Sequence, residues 1–214
     1  MHGLGTGVPM AALSDATVVD VLRRVDRLVT PLADRLGRPP ALPQAERDRW
    51  WAERVSRVAA GASALPRFAG KLVDLLPVRN ALGAAVQSLV VLGVAGEHGV
   101  RAPAERVALL ATVLLDRPLT AARVEPLLQS GGRYREEVGG GTGQGIARRL
   151  WGAARLLSRI DETLDARPKG RLGARFLANL PVFGLAGGYL AERIALRRVA
   201  AKAAQVLDRQ QLSA

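Results

Sequence analysis

The sequence predicts an all-α fold: a helical bundle of about seven helices with a glycine-rich hinge. Apolar residues recur at three- and four-residue spacing along most of the 214 residues. Alternating runs of β-branched residues, which are typical of half-buried strands, are missing. At 49% hydrophobic, the chain can also bury a substantial core.

The first helix is predicted to begin at Ser14 or Asp15, because either side chain suits an N-terminal cap. Pro31 should kink this helix or end it early, and Gly37 should stop it. Its apolar stripe consists of Val18, Val21, Leu22, Val25, Leu28, Val29, Leu32 and Leu36. Residues 1–14 are expected to be a loose leader that lacks the features of a secretory signal.

A second helix is expected from about Gln44 to Ala60, with Trp51 on its inward face. A short helix should follow over 66–76, ended by Pro77.

Two stretches carry no charge, residues 80–96 and 176–191, and both are rich in alanine and glycine. A membrane-spanning helix needs about 20 apolar residues, and the first stretch is slightly shorter. Two uses remain open for these stretches: a central core helix, or apolar surface offered to a membrane or partner.

Pro103 should open the next helix, and Thr120 should cap a short one ending near Gln129. The glycine-rich segment 131–145 is the predicted hinge. It separates an N-terminal helical region, 15–130, from a C-terminal basic helical region, 146–214, and we expect both to form one domain. In the second region, helices are predicted from Ile146 to about 166 and at the C-terminal end.

The formal net charge is +12 and is unevenly distributed. Residues 131–214 hold fifteen basic and seven acidic residues, a balance of +8, whereas 1–130 hold sixteen and twelve. A positive excess favours anionic partners such as lipid headgroups or phosphate backbones. The alternative is a bias of genome composition, since 28 of the 31 basic residues are arginine.

Seven cations are the candidate residues for binding an anionic surface. One group should lie on the back of the helix at 146–166, and the other along the last helix. They are Arg148, Arg155 and Arg159 in the first group, and Arg193, Arg197, Arg198 and Lys202 in the second. A solvated face without a partner is the competing interpretation.

The residue content predicts no catalytic site, metal site or cofactor. Cysteine is absent, and the only histidines are His2 and His98, so thiolate chemistry and histidine-rich metal sites cannot be built. Glu97 and His98 could form an acid/base pair, although a polar helix end explains them more simply. Aromatic residues do not alternate with the basic groups, which makes nucleic acid an unlikely partner.

Two further patterns suggest small-molecule chemistry. Before the helix at 146, the residues Gly141, Thr142, Gly143 and Gly145 could hold an anion on their N–H groups, helped by Arg148 and Arg149. A flexible linker is the alternative, because the Walker lysine is missing. The segment Asp161–Asp165 has the spacing of a magnesium-diphosphate motif, which would imply an enzyme acting on a prenyl or other anionic substrate. A solvated helix end is the simpler explanation.

Two blocks carry a resemblance to a known family. The first, 71–115, has a Leu-Pro break, a Gly/Ala-rich helix ending AGEHGV, and PAERV opening an apolar helix. The second, LPVFGLAGG at 180–188, opens a helix with Arg197 and Arg198. Together they cover under half of the chain and resemble the bacterial EcsC-like family and the related YcjF-like membrane-associated domains. The resemblance implies a helical, membrane-associated protein and supplies no catalytic residues.

From these features we expect a non-enzymatic protein that binds an anionic membrane surface or the helices of membrane proteins. It would lie in the cytoplasm, or peripherally on the cytosolic face of a membrane. The alternative is a soluble helical scaffold or partner-binding module without a membrane role. The sequence leaves open whether the chain forms a homo-oligomer.

Overall fold

The computed structural model describes residues 14–63, 76–130, 146–165 and 188–212. Within these ranges the chain forms seven helices and no strand, which confirms the all-α prediction. In chain order they are α1 (Asp15–Arg35), α2 (Gln44–Ser63), α3 (Leu76–Glu97), α4 (Pro103–Leu115), α5 (Ala121–Ser130), α6 (Ile146–Asp165) and α7 (Gly188–Leu212). The predicted leader, the hinge at 131–145 and most of the helix expected at 66–76 lie outside the described residues.

A local capping signal determines where the first helix begins, and packing determines how far it extends. Ser14 caps α1, because its Oγ accepts a hydrogen bond from the Thr17 N–H at 3.2 Å. Of the two expectations for Pro31, an early end is excluded, since α1 continues to Arg35; a kink stays a prediction. A proline removes one backbone hydrogen bond. The apolar stripe continues past it to Leu32, which is fully buried, so packing holds the last turn in place.

The uncharged helix α3 occupies the centre of the molecule. Every side chain from 83 to 95 is buried, and α3 packs against α1, α2, α4, α6 and α7. The core-helix interpretation of 80–96 therefore holds for its described part. Pro77 lies in the first turn of α3, where its missing N–H costs no hydrogen bond; most of the helix that it was expected to end lies outside the described residues.

Small residues let neighbouring helices approach α3 closely. A Cβ at Gly93 would overlap the indole ring of Trp51, which comes from α2 and is only 3% exposed. Trp51 also meets Trp50 edge-on, with ring centroids 5.2 Å apart. Glycine at position 93 is thus required by the contact between α2 and α3.

A buried ion pair joins α1 to α4. Nε and Nη2 of Arg106 donate to the two carboxylate oxygens of Asp26 at 2.7 and 2.9 Å, and the Thr30 hydroxyl adds a third hydrogen bond at 2.9 Å. The hydrogen bonds that Arg106 donates to Asp26 raise the pKa of Arg106 above its ordinary value, against the opposing effect of desolvation. This bidentate geometry is the strong form of an arginine–carboxylate contact.

The two basic helices pack against different sets of neighbours. α6 lies against α1 and α3, whereas α7 lies against α2, α3 and α4. Each buries one apolar face: Leu150, Ala153, Ala154, Leu156 and Leu157 in α6, and Leu196, Ala200, Ala203 and Leu207 in α7. The opposite face of each helix is therefore turned outward.

Candidate functional site

The structure divides the predicted surface cations into two groups with different surroundings. Arg148 and Arg155 are exposed on α6, and Arg197 and Arg198 are exposed on α7. Arg159 belongs to α6, but its side chain lies outside the described part of the structure. The two groups are on helices that do not have each other as principal neighbours, so they form two separate basic faces.

On α7, two arginines share one carboxylate of α2. Nη2 of Arg197 and Nη2 of Arg193 donate to Oε1 of Glu53 at 2.6 and 3.2 Å. The hydrogen bond from Arg197 is the main cause that lowers the pKa of Glu53; burial opposes it, and Arg193 reinforces it. These contacts connect α7 to α2, so much of their charge is already compensated within the chain.

Lys202 of α7 is also engaged inside the molecule. Its Nζ donates to the Val113 carbonyl at 2.8 Å and to the Asp116 carboxylate at 2.5 Å. Asp116 has a φ of 50°, the left-handed conformation that commonly ends a helix. Lys202 therefore caps the C-terminus of α4, where a cation interacts favourably with the helix dipole.

The outward face of α6 has a different arrangement. Arg148, Trp151 and Arg155 are spaced by three and four residues, which places them on one stripe. Trp151 is 38% exposed. Within the described ranges neither arginine side chain makes an ion pair. We refer to these three residues as the α6 face.

Two of the exposed apolar side chains lie on the same helices as the basic groups, close to them in sequence. In the described part of the chain, the large hydrophobic residues classed as exposed are Trp151, Ile194 and Leu212. Ile194 is 50% exposed and lies one turn before Arg197 and Arg198. Trp151 was not predicted to be a surface residue, although its position opposite the seam of α6 was the available signal.

Glu97 and His98 each pair with a residue of α2. Nε of Arg47 lies 3.4 Å from Glu97 Oε2. Nε2 of His98 lies 3.2 Å from both oxygens of Asp48, and its Nδ1 lies 3.9 Å from Asp208 of α7. The His98 side chain is only 4% exposed, and its contacts connect the end of α3 to α2 and α7. Among the described residues no group of three or more potential ligands is placed to hold a metal ion.

The remaining small-molecule predictions are outside what the structure describes. Gly141, Thr142, Gly143 and Gly145 belong to the undescribed segment 131–145. Asp161 and Asp165 lie on α6, but their side chains are also outside the described part. Neither the anion loop nor the diphosphate motif is therefore tested.

None of the helices in the described ranges combines the length and the apolar character needed to cross a membrane. Comparisons with protein-family models, with curated proteins and with solved structures found no match to this chain.

Proposed function

We propose that this chain is a non-enzymatic helical protein that attaches peripherally to an anionic membrane surface, on its cytosolic side, through the α6 face. The observation that supports this proposal is the stripe of Arg148, Trp151 and Arg155, in which an exposed indole lies between two unpaired arginines. Tryptophan favours the headgroup region of a bilayer, and arginine favours anionic lipids. The resemblance to membrane-associated helical families supports the same proposal.

The energetics of this face correspond to reversible binding. Each basic residue at an anionic surface contributes about 1 kcal/mol. Partial burial of the indole adds roughly 1–2 kcal/mol. Together the three side chains supply roughly 3–4 kcal/mol, less than a stable anchor requires. Attachment would therefore depend strongly on lipid charge and salt concentration.

The proposal does not use α3 as apolar surface. Residues 83–95 are already covered by five neighbouring helices, and exposing them would require separating the core. Attachment is therefore proposed to involve lipid headgroups, with the helical bundle remaining folded.

Flotation with vesicles tests the proposal. Wild-type protein should float with vesicles of phosphatidylcholine plus phosphatidylserine, and not with phosphatidylcholine alone. Removing both arginines in Arg148→Gln/Arg155→Gln should lower the partition coefficient about thirtyfold, because about 2 kcal/mol of attraction is lost. Trp151→Ala should lower it roughly tenfold.

The matched control is Arg38→Gln/Arg101→Gln. Both residues are exposed, Arg38 in the loop between α1 and α2 and Arg101 in the loop between α3 and α4. The variant loses the same net charge as the α6 double variant. It should retain most of the binding. Equal losses in the two double variants would mean that overall charge, rather than the α6 face, attracts the protein to the vesicles.

A second candidate function is a partner-binding module without a membrane role. Tryptophan and arginine are the residues that most often dominate protein interfaces, and the burial of residues 83–95 leaves the described part of α3 with nothing to offer a bilayer. Failure of the wild-type protein to float with any vesicle would favour this candidate.

A further inference from the structure

One buried arginine of α6 has no counter-charge in the described structure. Three charged residues there are buried: Asp26, Asp48 and Arg149. Asp26 is bound by Arg106, and Asp48 accepts hydrogen bonds from Gln44 and contacts His98. Arg149 is 8% exposed; its Nε is buried without a hydrogen-bond partner, and no ion pair joins it to another described residue.

The position of Arg149 directs it toward the start of a long helix. It is the fourth residue of α6, which has 20 residues. Helical side chains lean toward the N-terminus and cover the preceding turn. The N–H groups of that first turn have no acceptor inside the helix and carry the positive end of the dipole. Because helical side chains lean toward the N-terminus, we expect the Arg149 guanidinium and the first-turn N–H groups of α6 to face the same place.

The Nε of Arg149 has lost its hydration without gaining an acceptor, and a mostly buried guanidinium without an anion is a costly arrangement. The compensating group must accept several hydrogen bonds at once. The planar fork of arginine matches the oxygens of a phosphate or carboxylate, and a helix N-terminus is especially suited to phosphate.

We propose that Arg149 and the first turn of α6 form a binding site for a single phosphate group. This site is distinct from the α6 face and does not depend on membrane attachment, since Arg149 is buried while Arg148 and Arg155 are exposed. The phosphate can belong to a soluble phosphate ester or to a lipid headgroup, and both present the same oxygens.

Thermal denaturation with inorganic phosphate tests the site. The melting temperature of the wild-type protein should rise with phosphate concentration as expected for a ligand that binds only the folded state. In Arg149→Met the affinity derived from this rise should fall at least tenfold. Chloride at equal ionic strength serves as the reference for general salt effects.

Two variants make the result specific. Arg101→Met removes the same charge from an exposed position in the loop between α3 and α4 and should bind phosphate like the wild type. Arg149→Lys keeps the charge without the planar fork and should give an intermediate affinity. Equal responses to phosphate in wild type and Arg149→Met would overturn the proposal.

The stability without phosphate distinguishes a ligand from an internal partner. If Arg149 awaits a ligand, Arg149→Met should melt at or above the wild-type temperature, because it removes an uncompensated charge. If the variant melts several degrees lower and phosphate has no effect on the wild type, Arg149 pairs with an acidic residue of the chain, such as Glu136 or Glu137, and the proposal is overturned.

Vesicles identify the source of the phosphate. A lipid source predicts that wild type prefers phosphatidic acid over phosphatidylserine at equal surface charge, and that Arg149→Met loses this preference. A soluble source predicts no preference, with phosphate binding in solution retained. Either result supports the site, and neither requires the Arg148/Arg155 double variant to fail.

Discussion

The helices α6 and α7 are alike in sequence and differ in how their charges are used. Both bury a narrow apolar stripe against α3 and carry several basic residues on the remaining surface. On α7, Arg193 and Arg197 bind Glu53, and Lys202 binds Asp116. On α6, Arg148 and Arg155 have no ion pair within the described ranges.

This difference shows that the number of cations on a helix does not measure its capacity to bind an anionic partner. A cation that stabilises the fold must first be released, whereas an unpaired one is available at once. The same contrast between paired and unpaired cations occurs in the interior. Arg106 forms an ion pair with Asp26, whereas Arg149 has no partner among the described residues. The following predictions test whether pairing determines how each cation contributes.

The largest effect is expected at the buried arginines. Arg106→Met should lower the free energy of unfolding by about 3–5 kcal/mol, because it leaves the Asp26 carboxylate buried without its partner. Arg149→Met, the same substitution in α6, should leave stability in phosphate-free buffer unchanged or higher. Urea denaturation of both variants measures the difference, and similar losses in both would remove the contrast.

Truncation of a buried leucine should lower the free energy of unfolding by a similar amount in α6 and in α7. Leu157→Ala in α6 and Leu196→Ala in α7 remove side chains that are 3% and 0% exposed. Each should cost about 2–4 kcal/mol from lost burial and the cavity left behind. Ile194→Ala, on the outer face of α7, should change stability by less than about 0.5 kcal/mol. A large difference between the two leucine variants would show that the helices are supported unequally.

Removing the carboxylate that binds the α7 arginines should allow α7, like α6, to bind anionic vesicles. Glu53→Gln removes the carboxylate shared by Arg193 and Arg197. Binding to anionic vesicles should rise about threefold to tenfold, since two cations become available at up to 1 kcal/mol each. The rise should be measured by flotation and should disappear when Arg193 and Arg197 are also changed to Gln. No rise in Glu53→Gln would mean that α7 cannot reach the surface that α6 contacts.

The smallest expected effect is the pH dependence of the contribution that Glu53 makes to stability. Because the folded-state pKa of Glu53 lies below its ordinary value, its contribution to stability is complete above the unfolded pKa of about 4.3 and is lost as pH falls through the folded pKa. At pH 7 the wild type should exceed Glu53→Gln by no more than about 1 kcal/mol. In denaturation experiments this gap should close as pH falls through the folded pKa of Glu53. A gap that persists once the carboxyl group is protonated would assign the difference to packing rather than to charge.

Most of the helical framework could be predicted from the sequence, because its signals are local. Ser14 and Thr120 cap their helices as expected, and α4 begins at Pro103. The seam of α6 was identified from spacing alone, and its described members Leu150, Ala153 and Leu157 are buried. The effects of proline were less predictable: Pro31 lies within α1 without ending it, and Pro77 lies in the first turn of α3. In each case packing or position compensated for the missing N–H.

The candidate site was only partly predictable. The sequence placed Arg148 and Arg155 on the outer side of α6, where they are exposed. The sequence did not predict that Trp151 would be exposed between these two arginines. It also did not predict that Arg149, next to the exposed Arg148, would be buried. An aromatic or basic residue between the apolar and polar faces of an amphipathic helix can be either buried or exposed. Only the neighbouring elements of the folded chain determine which of the two occurs.

The sequence by itself thus determined the helices, their inner faces and the general excess of positive charge, since each depends on residues a few positions apart. The tertiary structure alone decided which cations remain available. Glu53 meets Arg193 across 140 positions of sequence, and Asp116 meets Lys202 across 86. Ion pairs form wherever folding brings opposite charges within reach, so the free charge of a surface is a property of the packed molecule.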